Sequence, residues 1–335
     1  MRNSLKKLST LLGAAALSVS ASAYDNVYFF GDSLSDAGQF TNVPPFAGLL
    51  PPGVQAKFTN IDPTQGNIIA ADVIAGAYGQ LSTPSGLALG LNVGNNYAVG
   101  GAVAIDADGD ESTPDLNLPT QLNSHLAGLG FQADPTALYT IIIGGNDLFA
   151  AQEIRSAYVF SEAGPERQAI RQASKARVDA AVAAVEAQLM KLIGAGAQNV
   201  LVGNAPDVGV VPATDLLVDG LLAAATTPGE ERRASRMYEI STKLTGRYNR
   251  KLKRAVKRVS KATGVDVILY DVEEFLNTTI DNASDLGYTN TTDACLPTTP
   301  GVGVCAGFIF ADNVHPTTNV HQAIGADLVQ TLMTQ

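Results

Sequence analysis

Val27-Tyr28-Phe29-Phe30-Gly31-Asp32-Ser33-Leu34 is the stretch from which the reading of this chain starts. Its first four residues are β-branched or aromatic and form a short run with strand character. Gly31 permits a sharp turn at the end of that run. A hydroxyl placed just past a buried strand lies where a ligand can reach it, which makes Ser33 the nucleophile candidate. A serine hydroxyl attacks poorly unless a base takes its proton, so the reading depends on finding that base.

Outward from this stretch, apolar runs alternate with longer helical patterns. Strand candidates are residues 27–30, 95–99, 138–143, 199–202 and 265–270, and helical patterns cover 66–77, 119–129, 166–192 and 230–262. Strands separated by helices signal parallel βαβ units. The expected architecture is a three-layer α/β/α fold around a mostly parallel, five-stranded, flavodoxin-like sheet, with its ligand site at the carboxyl ends of the strands. In the helix over 230–262, Leu244, Tyr248, Leu252, Ala255 and Val259 recur at three or four residues, while Arg247, Lys251, Arg254, Arg258 and Lys261 occupy another side. That basic stripe reads as a solvated face, with contact to anionic lipid the weaker alternative. Two apolar connections, Thr41 to Phe58 and Pro212 to Ala225, could build a substrate pocket or pack at the domain edge.

The chain has 335 residues, 46% of them hydrophobic, with 22 Lys and Arg against 32 Asp and Glu. This composition is globular, and the net charge of −10 argues against nucleic acid, whose phosphates are bound through basic surface. Residues 1–23 read as a secretory signal peptide: Arg2, Lys6 and Lys7, a short apolar run, then Ala21-Ser22-Ala23. Its removal leaves a single domain over 24–335, 312 residues with a net charge of −13. The expected location is the bacterial periplasm or the medium, where disulfides persist. Cys295 and Cys305, the only cysteines, flank a Pro/Gly/Thr-rich loop, and a local bridge between them is expected.

The base comes from the far end of the chain. In Phe308-Ile309-Phe310-Ala311-Asp312-Asn313-Val314-His315-Pro316 an acid stands three residues before a histidine, after an apolar run. That spacing lets the Asp312 carboxylate reach one imidazole nitrogen of His315 while the other points outward, which holds the tautomer needed by a general base. The other two histidines, His125 and His321, lie in helical patterns and read as packing or surface residues. Acyl transfer further needs donors for a developing oxyanion. Two glycine-rich strand ends offer them: Asn96 to Ala102, with Gly100 and Gly101, and Ile143-Gly144-Gly145-Asn146-Asp147.

In this order, Gly31-Asp32-Ser33-Leu34, Asn96 to Ala102, Gly145-Asn146-Asp147 and Asp312 to Pro316 resemble the four blocks of the GDSL, or SGNH, hydrolase family. The resemblance implies a serine esterase or lipase without metal or organic cofactor. Ser33 would be the nucleophile, His315 the base and Asp312 its orienting acid. The N–H groups of Ser33 and Gly101, with the Asn146 side chain, would hold the oxyanion. Gly101 is preferred to Gly100 because it lies five residues after Asn96, as the family's oxyanion glycine does. The longer form from Asp32 to Gly38 and the cysteine pair look most like the secreted bacterial lipase, lecithinase and haemolysin branch, and also like the passenger part of autotransporter esterases. Unlike those, this sequence runs only twenty residues past His315, so a soluble secreted enzyme, or a piece of a longer chain, is expected.

Other patterns are set aside. There is no Gly-x-Ser-x-Gly elbow, because Ser35 stands at the second glycine's place. Gly301 to Ala306 superficially fits a dinucleotide fingerprint but leads into a strand-like segment. Asp106 to Glu111 has its glycine misplaced for an EF-hand-like calcium loop. The expected substrate is a lipid-like, short-chain acyl or aryl ester. A carbohydrate acetylesterase, a choline-ester hydrolase or a catalytically inactive binding module are the alternatives. A monomer is expected, with at most transient contact to a membrane surface.

Overall fold

The structure is a computed structural model that describes residues 24–44, 47–48, 50, 52–105, 115–162 and 164–335. The signal-peptide reading of 1–23 and the acidic loop from Asp106 to Glu111 lie outside the described residues.

Four parallel strands form the central sheet: β1 (Val27–Gly31), β3 (Leu138–Ile142), β4 (Asn199–Gly203) and β5 (Val267–Tyr270), hydrogen-bonded in the order β1-β3-β4-β5. The two-residue β2 (Asn60–Ile61) and β7 (Gly301–Val302) pair with each other outside it. The expected fifth strand is present as an irregular edge segment. Phe29 N donates to Asn95 O at 3.1 Å, Tyr97 N to Phe29 O at 2.7 Å and Val99 N to Gly31 O at 3.1 Å, in parallel register with β1. On its outer side this segment meets Pro84, which has no N–H to extend a ladder. Counting it, the sheet runs second-first-third-fourth-fifth in chain order, as the flavodoxin-like reading requires.

Side-chain alternation along the strands sends apolar groups to both faces, the mark of a parallel sheet covered on both sides. Phe30, Tyr139, Ile141, Val200 and Val202 enter one core, covered by α2 (Leu118–Gly128), α4 (Pro165–Gly194) and α7 (Met237–Thr263). Val27, Phe29, Leu138, Ile142 and Leu201 enter the other, covered by α1 (Ala70–Ala77), α8 (Val272–Asp281) and α9 (Thr318–Met333).

The expected helix over 230–262 is two helices, α6 (Pro228–Ser235) and α7, separated at Arg236, where ψ is −2°. A one-residue departure from helical ψ leaves the apolar periodicity intact, so the pattern does not reveal it. Leu244, Tyr248, Leu252, Ala255 and Val259 are all buried. The basic stripe is only partly solvated. Arg247 and Lys251 share Asp179 of α4, and Arg258 pairs with Glu186. Residues 212–224 form α5 (Pro212–Ala224), which packs Val218 against Val159, Ala234 and Met237 while Leu216 stays exposed.

After β1 the chain turns to the edge segment on one side, whereas after β3 it proceeds to β4 on the other. The gap between the carboxyl ends of β1 and β3 is therefore the topological switch point, where open α/β sheets bind ligands. Ser33 follows β1 and Asn146 follows β3.

Candidate active site

Gly31 has φ +142°, and a Cβ there would come within 1.9 Å of the Ile142 carbonyl oxygen, so glycine is what lets β1 approach β3 at the turn. Both backbone polar groups of Gly31 are met by the buried Gln121 side chain at 2.8 Å. Past the glycine, the Asp32 carbonyl accepts the N–H groups of Ser35 and Asp36, and the Asp32 carboxylate accepts Leu34 N at 3.1 Å. The tight turn so formed holds Ser33 in a cleft with Gly145, Asn146 and Phe149. Among the described residues the Ser33 N–H has no acceptor. Burial pushes the Asp32 carboxyl up to about 7, against the pull of the Leu34 N–H and of His315.

The opposite side is built by a loop after β8 (Phe308–Phe310), which pairs with β6 (Asn290–Ala294). Asp312 Oδ1 accepts Val314 N at 2.8 Å and His315 N at 2.7 Å, so the carboxylate closes its own turn. His315 Nδ1 lies 2.9 and 2.8 Å from the two Asp312 oxygens, and His315 Nε2 lies 2.7 Å from Ser33 Oγ. The network assigns the proton to Nδ1, which leaves Nε2 to accept the serine hydroxyl. Burial raises the Asp312 pKa, but the hydrogen bond and charge of His315, then the Thr299 hydroxyl and Val314 N–H, outweigh it. The carboxyl is held well below its usual range. Ser33 and His315, 282 residues apart in sequence, are thus brought into proton-transfer contact.

The two glycine candidates differ in their commitments. Gly100 N donates to Asp36 Oδ2 at 2.7 Å, and a Cβ on Gly100 would strike the Phe58 ring at 2.1 Å. Gly101, at φ +81°, faces open space, and among the described residues its N–H has no acceptor. Asn146 belongs to α3 (Gly145–Ser156), not to a strand end, so its amide stands at the positive end of a helix. One amide hydrogen of Asn146 goes to Ala102 O at 2.9 Å, which leaves the other for a ligand.

Two positioning residues were not singled out from the sequence. Asp36, fully buried, accepts Gly38 N at 2.8 Å and Gln39 N at 2.7 Å on one oxygen and Gly100 N on the other, tying the nucleophile turn to the glycine loop. An Asp two residues before a glycine in a turn is the available signal, though it does not reveal the third partner. Thr299 donates its hydroxyl to Asp312 Oδ2. It lies in the loop bridged by Cys295 and Cys305, which form the disulfide expected from the sequence.

His125 is a packing residue, ringed by Tyr28, Phe30, Tyr97 and Tyr139 at 4.3–5.6 Å between centroids. His321 is also buried but lines a pocket beside the site. Of the two apolar connections, the first supplies Phe58, whose ring stands 5.1 Å from that of His315. Among the described residues none of Pro212 to Ala225 lines the cleft, which only the preceding Val211 reaches, so the second packs at the domain edge instead.

The sequence matches GDSL-like Lipase/Acylhydrolase over residues 27–328. The chain belongs to that family. Relatives include Lipase 1 of Photorhabdus luminescens, 26% identical over 96% of this chain and 52% of that protein. Esterase EstA of Pseudomonas aeruginosa is 33% identical over 49% of this chain and 29% of EstA. A GDSL esterase/lipase of Arabidopsis thaliana is 24% identical over 90% of this chain and 86% of its own length. The chain thus spans about half or less of the bacterial relatives it matches. Among the described residues of this GDSL family member, no helix is long and apolar enough to cross a membrane.

Proposed function

We propose that this protein is a serine-dependent carboxylic ester hydrolase acting through an acyl-enzyme. The observation that carries the reading is the continuous hydrogen-bonded series from Ser33 Oγ through His315 to Asp312. In the forward half, Ser33 Oγ attacks the ester carbonyl as His315 Nε2 takes its proton, and Asp312 stabilises the imidazolium. The carbonyl electron pair moves onto oxygen, held by the N–H groups of Ser33 and Gly101 and the Asn146 amide. Collapse breaks the bond to the alcohol, which leaves with the proton from His315. Water then enters, gives its proton to His315 and releases the acid by the same steps.

The walls next to Ser33, including Leu34, Pro206, Val211 and Val314, are apolar. They favour a lipid-like or aryl ester over an acetylated sugar, whose hydroxyls would need polar partners. Cleavage of a signal peptide near Ala23 and release of a monomeric domain over 24–335 outside the cytoplasm complete the reading. The disulfide supports that compartment.

The test is p-nitrophenyl butyrate hydrolysis by wild type and Ser33→Ala. Wild type should turn the ester over, and the variant should fall to background while melting at the same temperature. Full activity in Ser33→Ala would refute the assignment, and an inactive wild type would favour a binding module.

A further inference from the structure

Beside the cleft that holds Ser33 lies a second pocket, and the two share Leu34, Pro206, Val211 and Val314 as common walls. The shared walls make this pocket the immediate neighbour of an ester group bound at Ser33. Its remaining lining includes Ile142, Leu276, Phe310 and Ile324, and among the described residues the single polar side chain in it is His321.

His321 is 1% exposed, and among the described residues neither of its ring nitrogens has a hydrogen-bond partner. Leaving a buried donor and a buried acceptor unpaired is costly, and native interiors avoid it unless a water or ligand supplies the partner. Burial first, then the charges of His315 and Lys57, push the imidazole down to about 3, so it stays neutral across the working range. A neutral imidazole offers one N–H and one lone pair. It has nothing to balance a carboxylate, and a neutral hydroxyl complements either nitrogen.

Resting on the esterase reading, we propose that this pocket selects esters of hydroxylated acyl chains, and that His321 is the specificity-determining residue that hydrogen-bonds the hydroxyl. The remaining walls receive hydrocarbon, so the preferred acid is an aliphatic chain carrying one neutral hydroxyl beyond the ester carbonyl.

The experiment compares kcat/KM for p-nitrophenyl hexanoate with those for its 3-hydroxy and 6-hydroxy counterparts, on wild type, His321→Leu and His321→Gln. In wild type one hydroxylated ester should exceed the plain ester by about tenfold or more, because a site with a buried polar group penalises the analogue that leaves it unpaired. His321→Leu should bring that ratio near one, while His321→Gln, which keeps a donor and an acceptor, should retain part of it. Each ratio is taken within a single preparation, so partial loss of folded protein cancels. Equal rates on plain and hydroxylated esters in wild type would mean that water alone serves His321, and would overturn the proposal. So would a preference that survives in His321→Leu. Failure to hydrolyse any of the esters would strike the esterase reading instead.

Discussion

Replacing Asp36 by Asn separates positioning of the oxyanion loop from the integrity of the fold. The carboxylate is fully buried, with Gly38 N and Gln39 N on one oxygen at 2.8 and 2.7 Å and Gly100 N on the other at 2.7 Å. Asparagine has the same shape but one oxygen. If that oxygen keeps its two donors, the new NH2 faces the Gly100 N–H, donor against donor. One hydrogen bond to a charged group is lost, worth about 1.5–3 kcal/mol, and the half-buried Gly100 N–H loses its acceptor. The neighbour on the chain is Gly101, the proposed oxyanion donor. A complete oxyanion donor is worth about 3–4 kcal/mol, so its partial displacement should cost about 1.5–3 kcal/mol of transition-state stabilisation. That is roughly a 10- to 150-fold fall in kcat. The fold should lose less. Burial already pushes the Asp36 carboxyl up to about 6, and a neutral amide escapes that desolvation. The assay is steady-state hydrolysis of p-nitrophenyl butyrate at pH 8 beside a thermal melt. The expected result is a lower kcat, KM within a few fold, and a Tm within a few degrees of wild type. A kcat within threefold of wild type, or a loss confined to KM, would refute the reasoning.

Three further outcomes follow from the geometry. Asp312→Asn leaves a side chain of the same size but removes the charge that fixes the Nδ1 proton of His315, and kcat should fall by about 10⁴-fold; a loss under tenfold would remove Asp312 from its role. Breaking the bridge with Cys295→Ser frees a loop whose ends are 10 residues apart and should lower stability by about 2–3 kcal/mol. Because that loop carries Thr299 to Asp312, kcat should fall as well, and unchanged kinetics in the variant would show that Thr299 does not depend on the tether. His125 has its pKa pushed down by burial to about 4. The unfolded chain binds this proton at a higher pH than the folded one, so stability is unaffected above about 6.5 and is lost as pH falls toward 4, by on the order of 3 kcal/mol. In melts from pH 7 to pH 4, His125→Phe should lose less Tm than wild type, and parallel profiles would contradict the linkage.

The sheet and the meeting of the candidate residues Ser33, Asp312 and His315 were legible in the sequence because the signals for both are local. A strand of β-branched and aromatic residues ending at Gly31 announces its turn, and Asp312 lies close enough to His315 to cap the same loop. All five strand segments fell where their apolar runs placed them. Helix α3 was hidden because Gly144-Gly145-Asn146 reads as a turn, and only the structure shows that a helix starts there. The clamp of Asp36 on Gly100, 64 residues away, and the Thr299 hydroxyl on Asp312 are tertiary contacts with no periodic signature. The same holds for His321. Its helical setting suggested packing, and it is buried, but which wall it forms depends on where α9 docks.

The separation of 282 positions between Ser33 and His315 also bears on when activity appears during folding. Closing so wide a span precedes any energetic return from it, and sheets stitched from distant parallel strands form slowly. A chain that has regained its helices but not yet seated its final loop would hold the hydroxyl and the amide donors without a proton acceptor. On dilution from denaturant, ester turnover should therefore recover later than circular dichroism at 222 nm, making the first released nitrophenolate a clock for the last docking event.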